Sequence, residues 1–273
     1  MAKLSREFIE QIHTEKLKNN LTNKQIQQKY GFNPNYWFRK YDLIKTIKDF
    51  KRSENRILIK YKFESINSEI EAYILGLLLS DGSISSNSQL QIKLKADDSE
   101  LKLLQCIVNY ISPETKIAIK QNTAFFRIAS VEIKRNLEKY GMTPEKTYIL
   151  NKVPNLPKHL YRHFIRGYFD GDGTVFMDRK WLKSNICSIN ENFLIEIQAI
   201  LNDENIESRI NVEIRKNKKY KVPQGISENC VNMYRLYVSK QEALKKFYHY
   251  LYDDATIYLE RKKFKFEDNL ELT

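Results

Sequence analysis

Two short windows hold the residues whose types and spacing could do chemistry. They are AYILGLLLSDGSI, residues 72–84, and HFIRGYFDGDGTV, residues 163–175. The chain has only eight glycines, and five of them (Gly76, Gly82, Gly167, Gly171, Gly173) fall in these windows. Aligned on the last glycine, the windows share Ile, Gly, a bulky residue, Asp and Gly at an offset of 91 residues. Each reads as an apolar helix that ends in Asp-Gly, the glycine being free to take a positive φ past the helix. Asp81 and Asp172 then sit at helix C-termini, where partial negative charge makes a carboxylate unfavourable. Having this twice calls for a cation. A hard divalent ion such as Mg²⁺ or Mn²⁺ takes oxygen ligands. It can activate water and stabilise the attacking and leaving oxygens of a phosphodiester. Gly76 and Gly167, small residues one to two turns earlier, let two helix backbones approach and bring the acids together. Ser80, beside Asp81, is given no ligand role.

Elements that could position these acids recur around both windows. A strand-like pair follows each: SISSNSQLQIKLK, then TVFMDRKWLKSNICS. Next come the amphipathic helices DSELKLLQCIVNYI and NENFLIEIQAILND, opening on Asp or Asn as N-caps. Second strand pairs and the helices VEIKRNLEKYG and KQEALKKFYHYLY close each copy. The expected class is α+β, with two αββαββα repeats at residues 69–150 and 159–273. NKVPNLPKHL joins them, its connector proper being residues 151–158, and residues 51–68 read as a charged linker. Within LTNKQIQQKYGFNPNYWFRKYDL, Thr22 caps one helix, Gly31 turns the chain and Asn33 caps a second. That spacing resembles a helix-turn-helix, so residues 1–50 read as a small all-α DNA-binding module or as a helical cap. Arg39 and Tyr36 lie in the candidate recognition helix, with Trp37 as core.

ILGLLLSDG (residues 74–82) and IRGYFDGDG (residues 165–173) resemble the two motifs of single-chain LAGLIDADG homing endonucleases, over roughly residues 69–270. The resemblance implies two antiparallel sheets forming a saddle over double-stranded DNA, with Asp81 and Asp172 as metal ligands. It implies cleavage across the minor groove that leaves short 3′ overhangs. It also implies a basic residue near each metal site, here Lys146 and either Lys262 or Lys263, and polar residues from the second strand of each copy, here Lys93 and Asn185. Leu79 departs from the family, which has an acid there. Catalytically silent regulators and RNA-binding intron maturases use the same fold, and both stay open as alternatives.

Composition agrees with a polyanionic partner. Net charge is +12, and residues 1–65 carry fifteen Lys/Arg against seven Asp/Glu. An apolar content of 42% supports a sizeable core. No run of eighteen apolar residues exists and MAKLSREFIEQIH lacks a secretory pattern. The expected setting is therefore intracellular and cytoplasmic. Cys106, Cys187 and Cys230, odd in number and widely spaced, read as packing residues. Two acids in one chain predict a monomer. Alternation in QLQIKLK and KIAIKQ turns Gln89, Gln91, Lys93 and Lys95, or Lys116, Lys120 and Gln121, toward DNA. In IRKNKKYK, Arg215, Lys216, Lys218 and Lys219 are candidate backbone contacts. His159 and His163, at i and i+4, have zinc spacing but no evident third ligand. No splice-junction pattern suggests a whole intein.

Overall fold

A computed structural model of the chain describes residues 4–19, 21–41, 43, 59, 61–222, 225–228 and 231–271. Two compact units divide the chain, residues 1–60 and residues 61–273.

Three helices make the described part of the first unit: α1 (Arg6–Lys18), α2 (Asn23–Tyr30) and α3 (Pro34–Lys40). Thr22 and Gln25 form a reciprocal capping box that starts α2. Gly31, at φ 72°, ends it in the left-handed region that a side chain disfavours. Asn33 then accepts from the Asn35 N–H at the start of α3. Trp37 and Phe38 bury their rings against Ile9 of α1. Tyr36 faces outward, while the side chain of Arg39 lies outside the described residues.

The second unit holds both repeats. The first runs α4 (Glu69–Ser80), β1 (Gly82–Ile84), β2 (Gln89–Lys95), α5 (Asp98–Ile111), β3 (Ala118–Lys120), β4 (Thr123–Ala129) and α6 (Val131–Glu138). A short helix α7 (Lys146–Ile149) follows. The second runs α8 (Tyr161–Asp172), β5 (Gly173–Asp178), β6 (Trp181–Ser188), α9 (Glu191–Asp203) and β7 (Arg209–Glu213). It continues with β8 (Lys219–Val222), β9 (Gly225–Glu228), β10 (Met233–Val238), α10 (Gln241–Tyr252) and α11 (Glu260–Glu267). The class is α+β, with antiparallel four-stranded sheets in the orders β1-β2-β4-β3 and β5-β6-β10-β7. β8 and β9 form a separate hairpin.

Each sheet buries one face under its amphipathic helix. In the first, Leu90, Ile92, Leu94, Ala124, Phe126 and Ile128 are buried, as are Leu103, Leu104, Ile107 and Val108 of α5. That is the alternation of a half-buried strand meeting a helical stripe. The cap of α5 is Asp97, one residue before the expected opening. Asn190 is the N-cap residue of α9, as expected, but its side chain makes no capping hydrogen bond; its amide instead donates to the Thr147 carbonyl across the repeats. Residues 61–68 are not linker: Phe63 and Ile66 are buried, and Asn136 donates to the Lys62 carbonyl.

At the centre α4 lies against α8. A β-carbon added at Gly76 would sit 2.1 Å from the Phe164 carbonyl, and one at Gly167 would sit 2.0 Å from the Tyr73 carbonyl. Only glycine permits backbone contact this close. From Ala72 to Leu78 α4 is apolar all round and fully buried, as a helix segment enclosed on every side must be.

Candidate active site and nucleic-acid interface

Because α4 and α8 are joined along their glycines, their C-terminal ends meet. A β-carbon at Gly171 would sit 1.9 Å from Ser80 Oγ and 3.1 Å from Asp81 Oδ2. The strands β1 and β5 begin at once after Asp81 and Asp172. The expected positive φ after each aspartate is absent. Gly173 is extended at φ −89°, and Gly82 is not in the left-handed region either. Both must be glycine for a different reason. Added β-carbons would strike the preceding helical turn, 2.7 Å from Leu78 Cα and 2.4 Å from the Phe169 carbonyl.

The cation demanded by two helix ends is supplied in part by the chain. Lys146, buried on α7, donates to the carbonyls of Leu79 (2.8 Å) and Ser80 (2.6 Å) at the end of α4. Lys262, buried on α11, donates to Phe169 (2.6 Å), Asp170 (2.7 Å), Gly171 (3.2 Å) and Gly173 (2.6 Å) at the end of α8. Between the two C-terminal candidates, Lys262 reaches the helix end. Lys263 instead pairs with Glu267 at 3.7 Å and covers the Tyr258 ring. Ser80 turns its hydroxyl onto the carbonyl of Leu77, its own helix.

Electrostatics cross between repeats. Burial raises the Asp81 carboxyl, and Lys262, ahead of Lys146, opposes that shift. Burial and then the Asp81 charge push Asp172 up to about 6, with Lys146 the leading cation against the shift. Burial lowers both lysines, Lys262 to about 8. Each lysine therefore caps the helix of its own repeat and acts on the acid of the other. The two carboxylates repel, and both remain partly open to solvent. That combination suits a hard divalent ion. Among the described residues no cluster of three or more His, Cys, Asp or Glu could hold a metal. An ion held by two carboxylates would keep coordination positions for water and phosphate oxygens, an arrangement Mg²⁺ accepts.

Asp170, aligned with Leu79, is a structural acid. Fully buried, it accepts from Tyr73 (2.7 Å), Tyr252 (3.2 Å) and the Leu259 N–H (2.7 Å). Beside it, Arg166 is wholly enclosed, donating to Ile257, Leu251 and Glu69. This network was not read from the sequence, although an arginine among the apolar residues of the second window was a signal. Arg261 reaches Glu100 of the other repeat at 2.7 Å.

Strand register sorts the remaining candidates. Gly82 faces Ile92 and Gly173 faces Ile186, so Gln91 is equivalent to Asn185 and Lys93 to Cys187. Lys93 and Asn185 are therefore not counterparts. Lys93 is exposed, whereas Asn185 is buried and accepts weakly from Arg235 at 3.4 Å. Cys187 donates to the Asp172 carbonyl at 3.1 Å, a role beyond packing. Cys106 is exposed, and Cys230 lies outside the described residues. Gln89, Gln91, Lys93, Lys95 and Lys120 share the open face of the first sheet, which register extends to Arg127. Lys116 and Gln121 flank β3, both exposed. Arg209, Asn211 and Arg235 share the open face of the second sheet. Arg127, Arg209 and Arg235 were missed because pairing partners cannot be read from one strand. Arg215 pairs with Glu213 at 2.8 Å, Lys216 donates its N–H to Asn232, and exposed Lys218 and Lys219 lead into β8. His163 lies 3.8 Å from Glu69, and burial lowers it to about 4; His159 is exposed at the rim of the Lys158–Arg162 surface. No helix among the described residues is long and apolar enough to cross a membrane.

The chain is similar to several known proteins. ATP-dependent DNA helicase Hel308 of Methanocaldococcus jannaschii is 24% identical over 233 residues, 81% of this chain, and the match spans 18% of that protein. Among solved structures, I-DmoI in complex with DNA and calcium is 17% identical, covers 76% of this chain and 99% of its own, and gives a TM-score of 0.47. The N-terminal LAGLIDADG domain of WhiA is 17% identical, covers 71% and 89%, and gives 0.43. Residues 159–252 match the LAGLIDADG-like domain family. The likeness to that family lies in residues 159–252, and the acidic motif that ends in Asp172 falls within them.

Proposed function

We propose that this chain is a site-specific homing endonuclease that makes a metal-dependent double-strand break in a long DNA target. The observation that carries this reading is the meeting of Asp81 and Asp172 at two helix ends locked together by Gly76, Gly167 and Gly171. Two acids related by the repeat suit two antiparallel strands, one phosphodiester each. Flanking the acids, the open sheet faces present Gln91, Lys93 and Arg127 on one side and Arg209 and Arg235 on the other. Long polar and cationic side chains on strands can read base edges and phosphates.

Asp81 and Asp172 would hold Mg²⁺ or Mn²⁺. When bound, such an ion supplies Lewis acidity and offsets charge that develops on phosphate oxygens. The chain's part is positional. Lys146 and Lys262 fix the two helix ends, the paired glycines set the separation of the acids, and the sheets fix the register of the duplex. In the hydrolysis, a water oxygen bonds to phosphorus as the P–O3′ bond breaks, leaving a 3′ hydroxyl and a 5′ phosphate. Both acids lie in one chain, so the active form is a monomer with internal pseudo-two-fold symmetry. The first unit, with six Asp/Glu and fourteen Lys/Arg in residues 1–60, adds a second DNA contact through its helix-turn-helix-like pair α2 and α3.

Incubation of a genomic or randomised duplex library with Mg²⁺ or Mn²⁺, followed by sequencing of the ends, tests this. Defined sites with short 3′ overhangs are expected, lost in D81N and in D172N while DNA binding persists. Binding without cleavage under every divalent ion points to a silent regulator. Selective binding to structured intron RNA points to a maturase.

A further inference from the structure

The open faces of the two sheets differ at one corner. On β5 and β6, strand register pairs Phe176 with Lys183 and Asp178 with Trp181. All four side chains lie on the open side, because their neighbours Val175 and Leu182 are buried. Asp178 and Lys183 form an ion pair across one diagonal, so Phe176 and Trp181 occupy the other. Trp181 is 54% exposed, and Phe176 is half-buried. In the first repeat Gly82 faces Ile92 as Gly173 faces Ile186, so Ser85 and Asn87 stand at the matching positions. Both are exposed. A polar corner in one repeat is an aromatic corner in the other.

A single exposed apolar side chain is ordinary on a protein surface. Here two rings share a diagonal on a face that also carries Arg209, Asn211 and Arg235. The Asp178–Lys183 pair leaves no net charge between the rings. Just beyond them the turn carries Arg179, at φ 57°, and Lys180, whose Nζ lies 5.7 Å from the centre of the Trp181 ring. Cations at the tip suit phosphates. The uncharged corner suits an apolar group, and the apolar group on a base edge in the major groove is the C5-methyl of thymine. β5 begins at Gly173, directly after Asp172, and runs to Asp178. At about 3.3 Å per residue the corner lies roughly 17 Å along the strand from that acid. That length spans about five base pairs at roughly 3.4 Å each.

We propose that Phe176 and Trp181 form a thymine-reading corner, their rings packing on the C5-methyl group of a thymine about five base pairs outward from the cut beside Asp172. The inference rests on the DNA-binding part of the endonuclease reading and names a base that the second repeat selects. Ser85 and Asn87 give the first repeat no apolar surface for a methyl group at this place. The selection therefore falls in one half of the target only.

The test uses the full chain. Bound duplexes are selected from a randomised library with Ca²⁺ and, separately, with Mg²⁺. Each selected thymine is then replaced by deoxyuridine, which lacks only the methyl group, and binding is followed by fluorescence anisotropy. One thymine in one half-site is expected to matter, its replacement weakening binding about fourfold, the worth of one buried methyl. W181A and W181Q should bind the thymine and uracil duplexes alike. Their melting temperatures should stay at the wild-type value, because Trp181 is exposed. The proposal is overturned if no selected thymine is sensitive to loss of its methyl. It is also overturned if W181A and F176A both keep the wild-type ratio of thymine to uracil binding. Duplexes that are bound but never cut with Mg²⁺ would sink the endonuclease reading, and the thymine–uracil comparison would still decide this inference. Duplexes that are cut, with no methyl effect that depends on Trp181, reject the inference alone. A wild type that binds no duplex rejects both.

Discussion

Asp172 stores a measurable destabilisation in the metal-free protein. Burial and the neighbouring Asp81 charge move its carboxyl from the ordinary value of 3.8 to about 6. A carboxyl with a raised folded pKa costs nothing below pH 3.8, where folded and unfolded states are both protonated. Between 3.8 and about 6 the unfolded state ionises first, so stability falls as pH rises, and above about 6 the full cost is present. At about 1.36 kcal/mol per pH unit the shift amounts to roughly 3 kcal/mol as a ceiling. Solvent reaches part of the group, so about 1–3 kcal/mol is the working range. D172N removes the charge and keeps the shape. A unit the size of residues 61–273 changes by roughly 0.45 kcal/mol per degree near its midpoint, so the variant should melt about 2–7 °C higher at pH 7.5 in EDTA. The gap should close as pH falls toward 4. Saturating Mg²⁺ should close or reverse the gap: at about 100 times its Kd the ion stabilises the wild type by roughly 2.7 kcal/mol, and the variant gains little. Scanning calorimetry at both pH values, with and without Mg²⁺, makes the comparison. A D172N midpoint at or below that of the wild type at pH 7.5 in EDTA would refute the argument, as would a gap that persists at pH 4.

Two further expectations concern the helix pair and the first unit. G167A places a β-carbon 2.0 Å from the Tyr73 carbonyl, so α4 and α8 must separate; overpacking of this kind costs about 1–3 kcal/mol or more, and a midpoint within a degree of wild type would show that the helices can slide apart freely. Deletion of residues 1–60 should weaken DNA binding and flatten the dependence of log Kd on log salt, whereas unchanged affinity and slope in a fluorescence anisotropy titration would make the three-helix unit a cap with no DNA contact.

The placement of the two acids at helix ends was legible because it is local. The spacing of glycine and aspartate in two windows pointed to a pair of helices ending in acids, and the alternation in QLQIKLK marked the open strand face. Those patterns depend on 3.6-residue and two-residue periods that one chain displays directly. Other features depend on which segments meet. That Gly82 and Gly173 are required by contact with the preceding turn, and not by a positive φ, follows from how sharply β1 and β5 leave the helices. Arg127 and Arg235 join the open faces only through strand register. The buried Asp170–Tyr73–Tyr252 set, and the choice of Lys262 over Lys263, are made by groups 80 to 100 residues apart in sequence. Sequence alone determined that two acids should face each other across a helix pair. Tertiary structure decided which cations hold them there, because a hydrogen-bond donor is counted only when every carbonyl competing for it is in place.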